Sequence, residues 1–192
     1  MAINSNNSNN SVQNTGKRFI TKPPIKRILK KANIARISKD VDEAIYKLLV
    51  EYTTKILQTT LVFTDHAPRK TIQMVDLEAG FQQNSQRLAI KLKKPVKKST
   101  DSSAKTPKTP KTVLFPGQEI PFNNFKEMCK NIVNQKGKEY RFGSSVFIFL
   151  QYVVESYIYD LSILASRCAL HANQRKTVRA SDFYLARNLR GW

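Results

Sequence analysis

The feature that most constrains this chain is an internal repeat. Arg-Lys-Thr, an aliphatic residue and, after three more positions, Asp occur at residues 69–76 and again at 175–182. An earlier arginine, Arg36, has its counterpart in Arg141. Each counterpart lies 105 or 106 positions further along the chain. A register that is kept over about forty residues predicts two halves with the same fold.

Between these landmarks, each half has the apolar period of one long helix. The apolar residues that recur at steps of three and four are Val41, Ala44, Ile45, Leu48, Leu49, Tyr52, Ile56 and Phe63 in the first half, and Phe147, Ile148, Leu150, Val154, Tyr157, Ile158, Leu161, Leu164, Ala165 and Cys168 in the second. We expect Ser38 to cap the first helix, and Ser144 or Ser145 the second. A helix of about 27 residues is roughly 40 Å long, so it needs a second long helix to pack along.

Shorter helices flank both long ones. Pro23 and Pro24 favour a helix start ahead of the first, and Pro121 opens an amphipathic segment ahead of the second. Behind the long helices, we expect Thr71 and Thr177 to cap two further short helices. Neither half has a compact core alone. The pattern therefore predicts an all-α fold. In this fold, two units of short, long and short helix pack against each other along their long helices and form an intramolecular pair.

The charge is concentrated in two segments. The chain carries 33 Lys and Arg against 14 Asp and Glu, a net charge of +19, and residues 17–39 and 87–112 supply almost all of it. Such a surplus favours a polyanionic partner: nucleic acid, an acidic membrane surface or an acidic protein. The composition predicts an Asn- and Ser-rich tail at 1–20, folded units at 21–86 and 119–192, and a flexible basic linker at 87–118.

Several classes of function are disfavoured. Two cysteines, Cys129 and Cys168, fit no metal-ligand spacing and are too few for a disulfide framework. The most apolar run, Val146 to Val154, is much shorter than the roughly 20 residues of a membrane-spanning helix. No catalytic constellation is recognisable. We therefore expect no enzyme activity, cofactor, metal, membrane span or small-molecule substrate.

The motifs of both halves resemble those of the core histones. The first half resembles histone four in residues 21–28, 36–38 and 64–71, and the second resembles histone three in 121–122, 141–145, 168–172 and 182–191. Two core histones fused in this order are similar to the histone doublets of large DNA viruses. Departures include a longer first loop in the second half, and Gln118 with Glu119 where the family has basic residues.

The resemblance implies a structural protein that wraps double-stranded DNA without sequence specificity, as the core tetramer part of a nucleosome-like particle. Arg36 would enter a minor groove beside Thr177, and Arg141 another beside Thr71. The further cations expected at phosphates are Lys26, Arg27, Lys30, Lys31, Lys70 and Lys176. The expected location is chromatin in the nucleus or, for a viral protein, the viral factory and the virion interior.

The spacing of Arg69 to Asp76, and of Arg175 to Asp182, suits ion pairs that fix the loops, with direct DNA contact as the alternative. The resemblance further implies self-association with a second copy through Cys168, His171, Arg175, Asp182, Leu185 and Leu189. It also implies docking of a second histone doublet, or of the other two core histone types, at Phe63, His66 and Phe81. Against these roles, a lone histidine such as His66 or His171 is more often a packing residue.

Two other functions remain possible at this point. A histone-fold transcription factor subunit would act as a protein-interaction module and would bind DNA only within a complex. A basic RNA-packaging protein would prefer single strands and would expose aromatic rings beside Lys or Arg. Most aromatic residues here fall at helical core spacing, which disfavours the RNA alternative.

Overall fold

The computed structural model describes residues 18–85, 118–135, 137 and 139–191. In those residues lie the helices α1 (Lys22–Lys31), α2 (Val41–His66), α3 (Met74–Ser85), α4 (Phe122–Asn134), α5 (Val146–His171) and α6 (Ala180–Leu189). Four two-residue strands lie between them: β1 (Arg36–Ile37), β2 (Thr71–Ile72), β3 (Arg141–Phe142) and β4 (Thr177–Val178). The predicted linker, apart from residue 118, and residues 1–17 of the predicted tail are outside the described residues.

The two long helices, of 26 residues each, pack against each other and join the two halves. Where they meet, the ring of Tyr52 stacks on the ring of Tyr157, with 3.8 Å between centroids and 5° between planes. These tyrosines are one repeat apart in the sequence, so the stack marks the pseudo-twofold axis of the chain. The all-α intramolecular pair predicted from the repeat is confirmed.

All six helices contribute to one buried apolar cluster. Leu49 and Ile56 of α2, Phe125 of α4 and Phe183 of α6 are completely buried. Each half therefore covers apolar surface that the other would expose to water, and burial of that surface holds the pair together. Ile20 also belongs to this cluster, so the ordered fold begins before residue 21, where the sequence placed its boundary.

Helix α3 lies unusually close to α2. A Cβ atom at Gly80 would stand 2.6 Å from Oγ1 of Thr60 and 2.9 Å from its backbone nitrogen. The hydroxyl of Thr60 is satisfied within its own helix, since it donates to the carbonyl of Ile56 at 2.8 Å. Only glycine allows the two backbones to approach this closely.

Helix α5 is long and apolar enough to span a membrane by length and composition alone, with a mean hydropathy of 1.3 over its most apolar 18 residues. The apolar run from Val146 to Val154, on which the sequence prediction was based, covers only the first part of this apolar helix. Within the fold, 72% of that stretch is buried. The apolar character of α5 is thus explained by its central place in the core.

The predicted helix caps are wrong in detail. Helix α2 begins at Val41 without a side-chain cap, and the hydroxyl of Ser38 instead donates to Asp40. Ser145 is the N-cap residue of α5, as expected, but its side chain makes no capping hydrogen bond. Thr71 and Thr177 lie in β2 and β4 rather than at helix starts. Both were misassigned because their strand partners come from the other half of the chain.

Candidate nucleic-acid interface

Two short parallel ladders bring the loops of the two halves together. In the first, Arg36 pairs with Thr177, and in the second Arg141 pairs with Thr71. The backbone N–H of Arg141 donates to the carbonyl of Lys70 at 2.8 Å, which fixes the second ladder. We call β1 with β4 the first loop pair, and β2 with β3 the second loop pair. Each places an arginine of one half beside a threonine of the other.

The loop cations are exposed to solvent. Arg36, Arg141, Lys70 and Lys176 are all exposed, and within the described residues none of their side chains takes part in an ion pair or hydrogen bond. By contrast, Arg187 pairs with Glu51 across the two halves. The positive charge of the loop pairs is therefore available to an external anion, because the fold does not neutralise it.

Each loop pair opens onto a basic hollow. Arg36, Arg175 and Lys176 line the hollow at the first loop pair. Lys126 and Lys130 of α4 join Arg141 at the second. These two lysines were not predicted, although their spacing of four residues repeats that of Lys26 and Lys30 on α1 and could have revealed them.

The loop-fixing ion pairs expected from the spacing are present. The guanidinium of Arg69 donates to Asp76 at 2.6 Å, and that of Arg175 donates to Asp182 at 2.8 Å. Both carboxylates are buried and also accept a backbone N–H at the start of the following helix, from Gln73 in one case and Arg179 in the other. These pairs hold the second loop of each half in place. Arg175 additionally lines the first hollow.

The four cations of α1 differ in their surroundings. Lys26 and Lys30 are exposed and make no ion pair within the described part of the chain. Arg27 and Lys31 contact the carboxylate of Glu119, from the other half, at 2.5 and 2.6 Å. Their hydrogen bonds, that of Lys31 first, hold the pKa of Glu119 below its usual range. Of the four α1 cations predicted to contact DNA, two are thus paired with a carboxylate of the protein, and Lys26 and Lys30 are not.

The residues expected to mediate self-association lie partly at the surface. Leu185 and Leu189 of α6 are 49% and 65% exposed, and His171 is exposed. Cys168 is partly buried, and this burial raises the pKa of its thiol. Asp182 is buried in its ion pair with Arg175. The apolar edge of α6 therefore remains without a partner inside the described fold.

The expected docking residues of the first half are not all on one surface. Phe63 is 37% exposed and His66 is exposed. The prediction that Phe81 is a docking residue is corrected, because Phe81 is only 5% exposed and its ring packs edge-on against Phe149. Two valines that were not predicted, Val62 and Val75, are 66% and 69% exposed. An apolar side chain on the outer face of an amphipathic helix was the signal that could have identified them.

Residues suited to catalysis or metal binding do not converge in the described residues. No group of three or more His, Cys, Asp and Glu side chains in residues 18–85, 118–135 and 139–191 could hold a metal ion. Cys129 is completely buried, which raises the pKa of its thiol. The chemistry of the exposed surface is mainly that of fixed positive charge.

Comparison with known proteins finds a match for each half. Residues 18–80 match the family described as histone-like transcription factor (CBF/NF-Y) and archaeal histone, and residues 98–189 match the core histone H2A/H2B/H3/H4 domain. Histone H4 of Dictyostelium discoideum is 31% identical over 58 residues, which are 30% of this chain and 54% of that protein. The chain thus spans about half the length of this relative.

A solved structure with a similar fold covers nearly the whole chain. The crystal structure of the histone from Methanopyrus kandleri superposes with a TM-score of 0.59 and 17% sequence identity, over 87% of this chain and 92% of that one. At this identity the likeness shows the fold alone. Together with the two family matches in tandem, it shows that this chain is a histone-fold doublet, two histone folds joined in one polypeptide.

Proposed function

We propose that this doublet packages double-stranded DNA by wrapping it without sequence specificity. The observation that carries the proposal is the pairing of an exposed arginine with a threonine at each loop pair, Arg36 with Thr177 and Arg141 with Thr71. The net charge of +19 supports a polyanionic partner. The matches to histone families in both halves support the same conclusion.

The proposed contacts use the DNA backbone and its deformability. An arginine at each loop pair enters the minor groove where it faces the protein, and main-chain N–H groups and nearby cations meet the adjacent phosphates. Lys70 and Lys176 next to the ladders, and Lys26 with Lys30 on α1, supply such cations. None of these contacts reads a base edge, so affinity depends on salt and only weakly on sequence.

The finer assignment follows from the motifs of each half. We infer that the first half takes the place of histone four and the second that of histone three, in a doublet of the kind found in large DNA viruses. Its place is then chromatin in a nucleus or, for a viral protein, the viral factory and the virion interior. A second doublet, or a pair of the other two core histone types, docks at His66 and at the exposed apolar side chains Val62, Phe63 and Val75.

Nuclease digestion tests wrapping directly. The protein is assembled on mixed-sequence duplex, with and without a pair of the other two core histone types, and the products are sized. We expect a protected fragment of defined length, and a plot of log affinity against log salt with a slope of about −5, because about six loop and α1 cations meet phosphates. A continuous ladder of fragments, or a slope near zero, would contradict the proposal.

A histone-fold transcription factor subunit is the second candidate, and the family match of residues 18–80 favours it. Such a protein would bind duplex weakly alone and would gain affinity only with a partner subunit. Digestion of complexes made from this chain alone separates the two functions. The transcription factor function predicts no protected fragment in that experiment.

Self-association is proposed to use the exposed edge of α6. Replacing both Leu185 and Leu189 by Asp puts two charges on an apolar surface that a second copy would bury. We expect the two-copy assembly of the parent to become a single copy, since each buried charge costs several kcal/mol. Sedimentation equilibrium, with and without a short duplex, measures the mass.

The matched control carries the same substitutions on another surface. Val62→Asp with Val75→Asp changes two valines that are at least as exposed, but lie in the first half. We expect this variant to keep the two-copy mass and to lose binding to the second doublet. A parent that remains a single copy at all concentrations, with and without duplex, would contradict self-association at α6.

A further inference from the structure

A carboxylate of the second half occupies a cationic site on the first. Glu119 accepts from Nε of Arg27 at 2.5 Å and from Lys31 at 2.6 Å, and its backbone carbonyl accepts from the same guanidinium at 2.8 Å. Its side chain is only 16% exposed. Two cations that converge on one carboxylate form a site that would otherwise suit a phosphate oxygen.

Helix geometry divides the α1 cations into two rows. Arg27 and Lys31 are four residues apart and share one face, while Lys26 and Lys30 form a neighbouring row turned by about 100°. Only the first row contacts Glu119. The second row is exposed to solvent. The side chains of Arg27 and Lys31 remain 52% and 47% exposed while they contact Glu119. The two rows therefore differ in their ion pairing with the other half and not in their access to solvent.

Buried hydrogen bonds fix Glu119 in this position. Glu155 of α5 accepts the backbone N–H of Glu119 at 2.8 Å and that of Ile120 at 3.0 Å. The amide of Gln151 donates to the carbonyl of Ile120 at 2.7 Å and to Glu155 at 2.9 Å. Glu155 is 9% exposed and Gln151 fully buried. The segment that carries Glu119 is therefore anchored on the core.

We propose that Glu119 acts as an internal competitor for DNA phosphate, so that Arg27 and Lys31 lock the two halves together while Lys26 and Lys30 make the α1 contacts with the duplex. This inference rests on the proposed DNA packaging. It differs from the expectation that all four α1 cations contact phosphates. It also gives a role to an acidic residue within an otherwise basic surface.

Neutralising Glu119 tests the competition. The variant Glu119→Gln keeps the size of the side chain and its carbonyl oxygen but removes the charge. We expect its affinity for a mixed-sequence duplex to rise about tenfold, and its salt slope to steepen by about 1 to 2, because two further cations reach phosphates. Fluorescence anisotropy titrations at several salt concentrations measure both quantities. Glu78→Gln, an exposed carboxylate on α3, controls for net charge.

A double-mutant cycle assigns the gain to the correct cations. Removing Arg27 and Lys31 together, by alanine, should change the affinity of the parent less than twofold and abolish the gain in the Glu119→Gln background. Removing Lys26 and Lys30 should lower affinity to the same extent in both backgrounds. Equal losses for both rows in the parent would overturn the inference.

The outcomes separate this inference from the proposed function. A parent that fails to bind duplex overturns the packaging proposal and the competition with it. A parent that binds, with Glu119→Gln indistinguishable from Glu78→Gln, overturns the competition alone. The stabilisation of the fold by the contact of Arg27 with Glu119 is measured without DNA. The changes in melting temperature of Arg27→Ala, Glu119→Ala and their combination should depart from additivity by about 1 to 3 °C. Additive changes in melting temperature would overturn the inference that this contact holds the two halves together.

Discussion

Replacing Tyr157 by alanine is expected to lower the free energy of unfolding by about 4 kcal/mol, the usual cost of truncating a fully packed aromatic ring. Tyr157 is 2% exposed, stacks on Tyr52 at the pseudo-twofold axis and lies under the guanidinium of Arg190 at 5.3 Å. Burial raises the pKa of its phenol to about 12, as expected of a ring inside the core. Urea denaturation followed by circular dichroism measures the loss.

A neighbouring tyrosine and a double-mutant cycle serve as controls. Tyr159, on the same helix, is 38% exposed, and its replacement by alanine should cost less than about 1 kcal/mol. In a cycle of Tyr52→Leu and Tyr157→Leu, which keeps apolar bulk, the costs should depart from additivity by about 1 kcal/mol. Costs that simply add, or two separate unfolding transitions, would show that the halves do not depend on this contact.

The repeat predicted the architecture because its physical basis is contained in each half. The apolar period of each long helix, and the absence of enough short-helix surface to cover it, leave the other long helix as the natural partner. The nearly equal spacing of Arg36 from Arg141 and of Asp76 from Asp182, 105 and 106 positions, then indicates which loops pair. These arguments need only local pattern and the rule that apolar faces are buried.

Three of the errors concern residues whose partner lies in the other half. Thr71 and Thr177 have the composition of helix caps, but a strand from the opposite half takes their backbone hydrogen bonds. Phe81 lies on an amphipathic helix whose buried face could not be fixed before Phe149 was placed against it. No local pattern distinguishes these alternatives.

Charge was the least predictable property of the candidate site. Lys126 and Lys130 reach the hollow of Arg141 only because α4 packs beside that loop. The repeat itself is also unequal here, since α4 has 13 residues against 10 in α1. The neutralisation of Arg27 by Glu119 depends on how the start of the second half crosses α1. Such contacts follow from the packing of elements far apart in sequence.

The double variant Arg36→Ala with Arg141→Ala is expected to bind mixed-sequence duplex about 100-fold more weakly than the parent, at a fixed salt concentration. The expected salt slope is shallower by about 2, because each arginine neutralises about one phosphate. The nuclease-protected fragment should shorten or disappear. The fold should persist, since both side chains are exposed and take no part in ion pairs within the described residues.

Two further variants separate minor-groove insertion from net charge. Lys47→Ala with Arg167→Ala removes the same charge from exposed positions on the long helices, and should weaken binding less than about tenfold. Arg36→Lys with Arg141→Lys keeps the charge but loses the planar guanidinium, which is less strongly hydrated than an ammonium and fits a narrow groove. We expect its salt slope to stay close to that of the parent, while the protected fragments become heterogeneous in length. If the lysine variant protected DNA as the parent does, the loop arginines would act as general cations and not as groove-inserting side chains.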